Sequence, residues 1–216
     1  ISRNTENVKA RGLKGLILET LGRKEEAAAW YEENLKKDGF DYISMIQYSD
    51  LKQEKADPCL KLMADRVSTF MECAIDYGEA GFVKEAAGIL TLCQKESPML
   101  HYYEAYYASF FDKERMRKAL EAGAQTDPAY CFPNKLEDIL VLEFVMEENP
   151  KDGYAPYYLG NLFYDKKQYE RAAKLWERAA AAKPQFPTVF RNLALAYYNK
   201  QKKPKEALAC MEKAFV

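Results

Sequence analysis

The sequence predicts an all-α chain, a solenoid of antiparallel helix pairs. Three observations predict it. Apolar residues recur at intervals of three and four along nearly the whole chain, and no stretch alternates with period two. Glycine and proline fall mainly between these segments, leaving short connections that set successive helices antiparallel. A pattern of small and aromatic residues also returns after about 34 residues, as a stack of like units requires.

The periodicity places helices over residues 5–21, 24–37, 40–53, 58–64, 67–80, 82–95, 99–112, 114–125, 135–148, 154–166, 169–182, 187–200 and 204–215. Gly22 and Gly81 stand where a left-handed C-terminal cap is wanted. Pro58 suits a first helical turn, where its missing N–H is no loss. Pro98, Pro150 and Pro184 follow helices that they could not continue.

The repeat is clearest from Gly153 onward. Leu159, Gly160 and Phe163 lie on the first helix, Ala172, Trp176 and Ala179 on the second, and Pro184 closes the unit. Pro156 replaces the large residue expected near the start and must lie in the first helical turn. Gly160, Ala172 and Ala179 remove bulk where the two helices cross, and Phe163 and Trp176 fill the space beside them. The next unit repeats the code with Phe190, Leu193, Ala194 and Tyr197. Ala207 and Ala214 then come one residue late, which places an extra residue in the turn "NKQKKPK". Looser copies begin at Val67 (Ala74, Tyr77, Gly81, Ala86, Leu90, Pro98) and at Val8 (Gly15, Leu18, Gly22, Ala27, Tyr31, with Lys14 in place of Leu). The chain thus reads as one repeat domain over 1–216, about six helix pairs, with units at 5–37, 40–64, 67–98, 99–128, 134–150, 153–186 and 187–216. The helix over 135–148 has no evident partner.

This spacing resembles the tetratricopeptide repeat (TPR), which implies a right-handed superhelix. More narrowly, "APYYLGNLFYDKKQYERAAKLWERA", "FPTVFRNLALAYYNK", "NTENVKARGLKGLILETLGRKEEA" and "CFPNKLEDILVLE" resemble the C-terminal repeat region of certain bacterial multidomain proteins. In those a mutarotase-like domain of unknown function precedes the repeats. The resemblance implies a bacterial, cytoplasmic protein of which this is a piece. The opening "ISRNTENVKA", with neither Met nor signal-peptide pattern, fits that expectation. So does the end at Phe215-Val216, which lacks a polar capping helix and is expected to continue or to pack on a second copy as a homodimer.

The TPR resemblance also implies a concave groove lined by the first helix of each pair. The matching positions are Tyr154, Tyr157, Asn161, Tyr164 and Asp165, then Thr188, Arg191, Leu195, Tyr198 and Asn199. Rigid tyrosines with Asn and Arg suit an extended protein or peptide segment, or a neighbouring domain of a longer chain. Chaperone-binding members of the family clamp a terminal carboxylate with Lys and Asn. Asn161 and Asn192 match the two Asn, but Tyr157 replaces the first Lys and a third repeat is absent, so structural asparagines are expected. The expected function is a non-catalytic interaction scaffold. The alternative is an accessory domain of a carbohydrate-active protein, binding sugar or shaping the site of the mutarotase-like domain.

The remaining candidates favour plain structural readings. Thirty-two basic residues oppose thirty-three acidic ones, for a net charge of -1, which argues against a nucleic-acid surface. No apolar run reaches the roughly 18 residues that a membrane helix needs. Cys59, Cys73, Cys93, Cys131 and Cys210 are scattered without a CxxC pair, so free thiols are expected, with no disulfide framework and no metal. "HYYEAYYASFF" sets Tyr103, Tyr107 and Phe111 on one stripe and Tyr102, Tyr106 and Phe110 on the next; a buried interhelical face is favoured over a stacking wall. His101 has no nucleophile or ligand cluster near it in sequence. Glu25-Glu26 and Glu147-Glu148 sit on solvated faces, and "DKERMRK" and "NKQKKPK" read as basic solvated turns. No glycine loop for phosphate occurs, and no cofactor is expected.

Overall fold

In two of its helix pairs, over residues 8–37 and 154–182, the chain sinks an aromatic ring into a glycine notch on the first helix, and that contact organises the rest. The computed structural model describes residues 7–54 and 56–215; the expected helical residues 5 and 6, and Val216, lie outside them. Thirteen α-helices and no strand occur among the described residues. They gather into two compact units, Ile1–Lys95 and Glu96–Val216. The first holds α1 (Val8–Thr20), α2 (Lys24–Lys37), α3 (Tyr42–Lys52), α4 (Asp57–Met63), α5 (Val67–Glu79) and α6 (Val83–Leu90). The second holds α7 (Pro98–Ala108), α8 (Lys113–Gln125), α9 (Leu136–Glu148), α10 (Tyr154–Asp165), α11 (Tyr169–Ala182), α12 (Pro187–Ala196) and α13 (Pro204–Ala214). Sequence neighbours pack as pairs: α1 with α2, α5 with α6, α7 with α8, α10 with α11 and α12 with α13.

Two helices stop earlier than their periodicity predicts, and in each case side chains compete for the backbone. After α6, the Thr91 hydroxyl donates to the Gly88 carbonyl at 2.8 Å, and the Gln94 N–H donates to Asp65 Oδ1 at 2.9 Å. After α7, Ser109 Oγ donates to the Tyr106 carbonyl at 2.6 Å, and Asp112 Oδ1 accepts the N–H groups of Glu114 and Arg115 to open α8. Pro98 opens α7 and does not follow α6 directly, because α6 has already ended at Leu90.

The turn inside four pairs is built alike. Gly22, Gly81, Lys167 and Lys202 have φ of 74, 86, 62 and 57°, in the left-handed region. The next residue's N–H then reaches back to a carbonyl in the last helical turn: Arg23 to Leu18, Phe82 to Tyr77, Gln168 to Phe163 and Lys203 to Tyr197, at 2.8–2.9 Å. The extra residue of the last repeat, expected in the turn, is instead taken up by a π turn over Tyr197–Gln201 that prolongs α12.

Within the pairs, small and large residues interlock. The Tyr31 ring lies over Gly15, and the Trp176 indole lies over Gly160, where an added Cβ would fall 2.5 Å from Cδ1. In the pair α5/α6 the same two positions hold Ala74 and Leu90, both buried. In the pair α7/α8 the order is reversed: Tyr102 on the first helix fills the notch at Gly123 on the second. Ala172 and Ala179 are fully buried beside Trp176, as the crossing requires.

The orphan helix α9 packs against α7 and α10 and has no second helix of its own. Two buried carboxylates fasten α7, one to α9 and one to α10. Asp138 accepts the Asn134 and Lys135 N–H groups on Oδ2, at 2.8 Å each, and the Tyr103 hydroxyl on Oδ1 at 2.7 Å. Asp152 caps α10 through the Tyr154 and Ala155 N–H groups and accepts the Tyr102 hydroxyl at 2.6 Å. Arg178 and Lys183 donate to the Met146 and Ala124 carbonyls, placing cations at the C-terminal ends of α9 and α8.

Three substitutions test this account. Gly160→Ala should lower stability by about 2 kcal/mol, since overpacking against Trp176 outweighs the gain in helix propensity; urea denaturation measures it. Lys167→Gly should raise stability by about 1 kcal/mol by removing a side chain from the left-handed region. Gly81→Ala, measured the same way, should lower it by a similar amount.

Candidate functional site

The expected groove residues lie on α10, on α12 and in the π turn that follows α12, all in the second unit. Their arrangement starts from the Gly160 notch. There the Trp176 indole N–H points back at α10 and is shared by Asn161 Oδ1, at 3.1 Å, and the Tyr157 carbonyl, at 3.2 Å. Asn192 on α12 donates its Nδ2 to the same Asn161 oxygen at 3.1 Å. Asn192 Oδ1 in turn accepts from the Arg191 guanidinium, at 3.0 Å from Nη2 and 3.3 Å from Nε. An indole and a guanidinium can only donate, so the two ends of this relay fix the orientation of both amides. With its oxygen engaged twice, Asn161 has only its NH₂ left to offer a ligand.

Next to this relay lies a cavity of about 290 Å³ lined by Asn161, Tyr164, Asp165, Trp176, Asn192 and Leu195. Tyr164 packs on Trp176 and on Tyr169, with ring centres 5.2 and 5.0 Å apart. Leu195, on the opposite wall, is 44% exposed, and Tyr198 one turn on is 63% exposed. Asp165 is exposed and holds the Lys166 ammonium at 2.8 Å. Asn199 is exposed, and its carbonyl accepts from Lys202. The structure thus brings Asn161, Tyr164, Asp165 and Leu195 together around one cavity. Tyr154 and Tyr157 stand apart from it. Both are half-buried edge-on against Phe186, at 5.4 and 4.8 Å, and Lys183 Nζ lies 3.9 Å over the Tyr154 ring. They seal the seam between consecutive pairs. Thr188 is half-buried and does not line the cavity. Trp176, the back wall, is a residue that the repeat code marks only as filler.

Family profiles match at both ends of the chain: one described as "Tetratricopeptide repeat" covers residues 1–41, and one described as "TPR repeat" covers residues 160–201. The chain carries tetratricopeptide repeats. The second match runs through α10, α11 and α12, so the cavity lies between TPR helices. Solved structures with which the chain shares a loose likeness include a crystal structure of MamA, at 18% identity over 93% of this chain and 92% of that one, with a TM-score of 0.37. Another is MamA 41-end from Desulfovibrio magneticus RS-1, at 13% identity over 99% and 96%, with a TM-score of 0.38. A third is YrrB, described as a TPR protein with an unusual peptide-binding site, at 15% identity over 98% and 87%, with a TM-score of 0.34.

Elsewhere in the TPR chain the other candidates have structural roles. Tyr102, Tyr103 and Tyr107 of the aromatic stretch are buried, and Tyr106 meets Phe144 of α9 edge-on at 5.5 Å. Tyr106 is half-buried, and Phe110 and Phe111, at the end of the stretch, are exposed. His101 Nε2 lies 2.9 Å from Glu96, at the start of α7. Glu26 pairs with Arg23, and Glu25, Glu147 and Glu148 are exposed. Cys59, Cys73 and Cys131 are buried free thiols, whereas Cys93 and Cys210 are half-exposed ones. Burial pushes Cys59 and Cys131 up to about 11 and Cys73 up to about 12, so all three are neutral thiols near pH 7. No helix among the described residues is long and apolar enough to cross a membrane, and no three His, Cys, Asp or Glu among them are grouped to hold a metal ion.

The relay yields a direct expectation. Asn161→Leu should lower stability by about 1–2 kcal/mol, because Asn192 loses its acceptor in a half-buried site. In the same variant, carried in a Trp30→Phe background, the emission of Trp176 should shift as its indole loses one of two acceptors. An unchanged melting curve and an unchanged emission maximum would together count against the relay.

Proposed function

We propose that this chain is a non-catalytic interaction scaffold whose C-terminal TPRs hold an extended segment of a protein, either a separate partner or a neighbouring domain of a longer chain. One observation carries the reading: a cavity between two consecutive repeats combines an apolar wall with a polar group whose orientation is fixed. Its volume is below the range of about 300–1,000 Å³ usual for small-molecule sites, and suits one side chain of a longer ligand. The Asn161 NH₂ is a donor suited to a main-chain carbonyl, and Tyr164, Trp176 and Leu195 supply apolar contact. Because the relay holds these groups in place before binding, little side-chain entropy is lost when a segment docks.

The buried thiols, neutral and enclosed, are poor nucleophiles, which agrees with a binding role. Random peptides displayed on phage and selected on the whole chain test the reading. Selected peptides should bind Leu195→Gln and Asn161→Leu at least about tenfold more weakly than the parent chain, as central contacts do. Equal binding by the parent and both variants would refute groove recognition. Binding to a glycan array, lost in the same variants, would instead favour the accessory carbohydrate role.

A further inference from the structure

The two basic turns beside the cavity are linked through one aromatic ring. One, after α10, carries Lys166 and Lys167; the other, after α12, carries Lys200, Lys202 and Lys203, followed by Lys205 in the first turn of α13. Lys200 Nζ lies 4.3 Å from the ring centre of Tyr169, which directly follows the first turn and opens α11. Tyr169 packs on Tyr164, a wall of the cavity. The lysine edge and the cavity therefore share one aromatic wall. The carboxylates of the same segments are Asp165, which holds Lys166, and the exposed Glu170 and Glu206. These segments carry six lysines against three carboxylates, with Glu177 of α11, which accepts the Tyr197 hydroxyl at 2.7 Å, as a fourth nearby, in a chain whose total charge is -1.

Backbone conformation relates the two lysine turns to each other. Lys167 and Lys202 occupy the left-handed position of their turns, with φ of 62 and 57°. In the first unit the same position is filled by Gly22 and Gly81, which make the same reach-back hydrogen bond without strain. The turn itself has no need of a lysine. Gln53, Ala64, Asp65 and Tyr130 are left-handed as well, so the conformation by itself marks no site; what it does is set Lys167 and Lys202 at corresponding places in the two repeats that build the cavity.

We propose that the segment held in the groove is acidic: an apolar side chain enters between Tyr164, Trp176 and Leu195, and carboxylates beside it lie over the edge formed by Lys167, Lys200 and Lys202. This deepens the groove reading above and rests on it. A protein segment suits the site better than a lipid surface does, because the recessed cavity accepts a single protruding side chain that a flat anionic surface does not present. Attraction between the lysines and the carboxylates speeds encounter and is screened by salt.

Fluorescein-labelled peptides test the proposal on the whole 216-residue chain. One carries a leucine followed by a run of glutamates, and a second has glutamines in place of the glutamates. In low salt the glutamate peptide should bind about tenfold more tightly than the glutamine peptide, with the gap closing as salt is raised. In the double variant Lys167→Gly, Lys202→Gly, the melting temperature should rise while the preference falls to about twofold, so the loss cannot come from unfolding. Leu195→Gln should weaken both peptides alike. Equal affinity for the two peptides, with both lost in Leu195→Gln, would overturn the acidic ligand and leave the groove reading standing. Binding of neither peptide would overturn both. Co-sedimentation with phosphatidylserine vesicles, without a preference between the peptides, would assign the edge to a membrane and likewise overturn the proposal.

Discussion

Two helices can pack closely along their length only if one yields space where the other carries bulk, and this requirement governs the architecture. In α1/α2 and α10/α11 the first helix yields, with Gly15 under Tyr31 and Gly160 under Trp176. In α5/α6 a leucine replaces the ring, and an alanine then leaves room enough. In α7/α8 the second helix yields at Gly123 and the first supplies Tyr102. What is kept from pair to pair is therefore the sum of volumes at the crossing. A close-packed interior responds to that sum and is indifferent to which strand of the pair supplies it.

The notch also determines the chemistry of the cavity. Trp176 lies in the space above Gly160 and belongs to a buried cluster with Val189, Phe190 and Leu193, which ties α11 to α12. That placement aims its N–H at Asn161, and from there the amide orientations follow as far as Arg191. A residue chosen for bulk thus fixes the polarity of a surface several ångströms away. The left-handed lysines show the opposite balance. At the same structural position the first unit keeps the unstrained glycine, and the C-terminal repeats keep a charged side chain in a less favourable conformation.

Much of this was legible in the sequence, for reasons that differ from element to element. All thirteen helices are visible because each carries an apolar stripe, and their ends are visible where glycine or proline stands there. The ends of α6 and α7 are not, because Thr91, Ser109 and Asp112 stop them through side-chain hydrogen bonds that periodicity does not encode. The pair α7/α8 looks degenerate because the ruler expects the small residue on the first helix, and here it is on the second. The partners of α9 are helices on either side of it, and its anchors are single hydroxyl–carboxylate contacts, which leave no periodic trace. In the groove, helical spacing identifies the face on which Tyr154 and Tyr157 lie. It does not show that Phe186, from the loop between repeats, covers them.

The last repeat shows how one added residue can reshape such a surface. Placed in the loop, it would have lengthened the turn and left α12 unchanged. Placed in a π turn, it keeps the contact from Lys203 N–H to the Tyr197 carbonyl and the left-handed residue before it, so the second helix still docks. Side chains within the widened turn no longer follow the spacing of about 100° per residue that holds on α10. Tyr164 on α10 lies against Tyr169 and Trp176, whereas the residues nearest in register on α13 are Pro204 and Met211, which offer no aromatic ring. Tyr198 accordingly stands out in solvent. The same insertion brings Lys200 over Tyr169, on the preceding pair. A change that is nearly silent for packing therefore sets both an exposed aromatic ring and a second row of charge on the rim of the cavity.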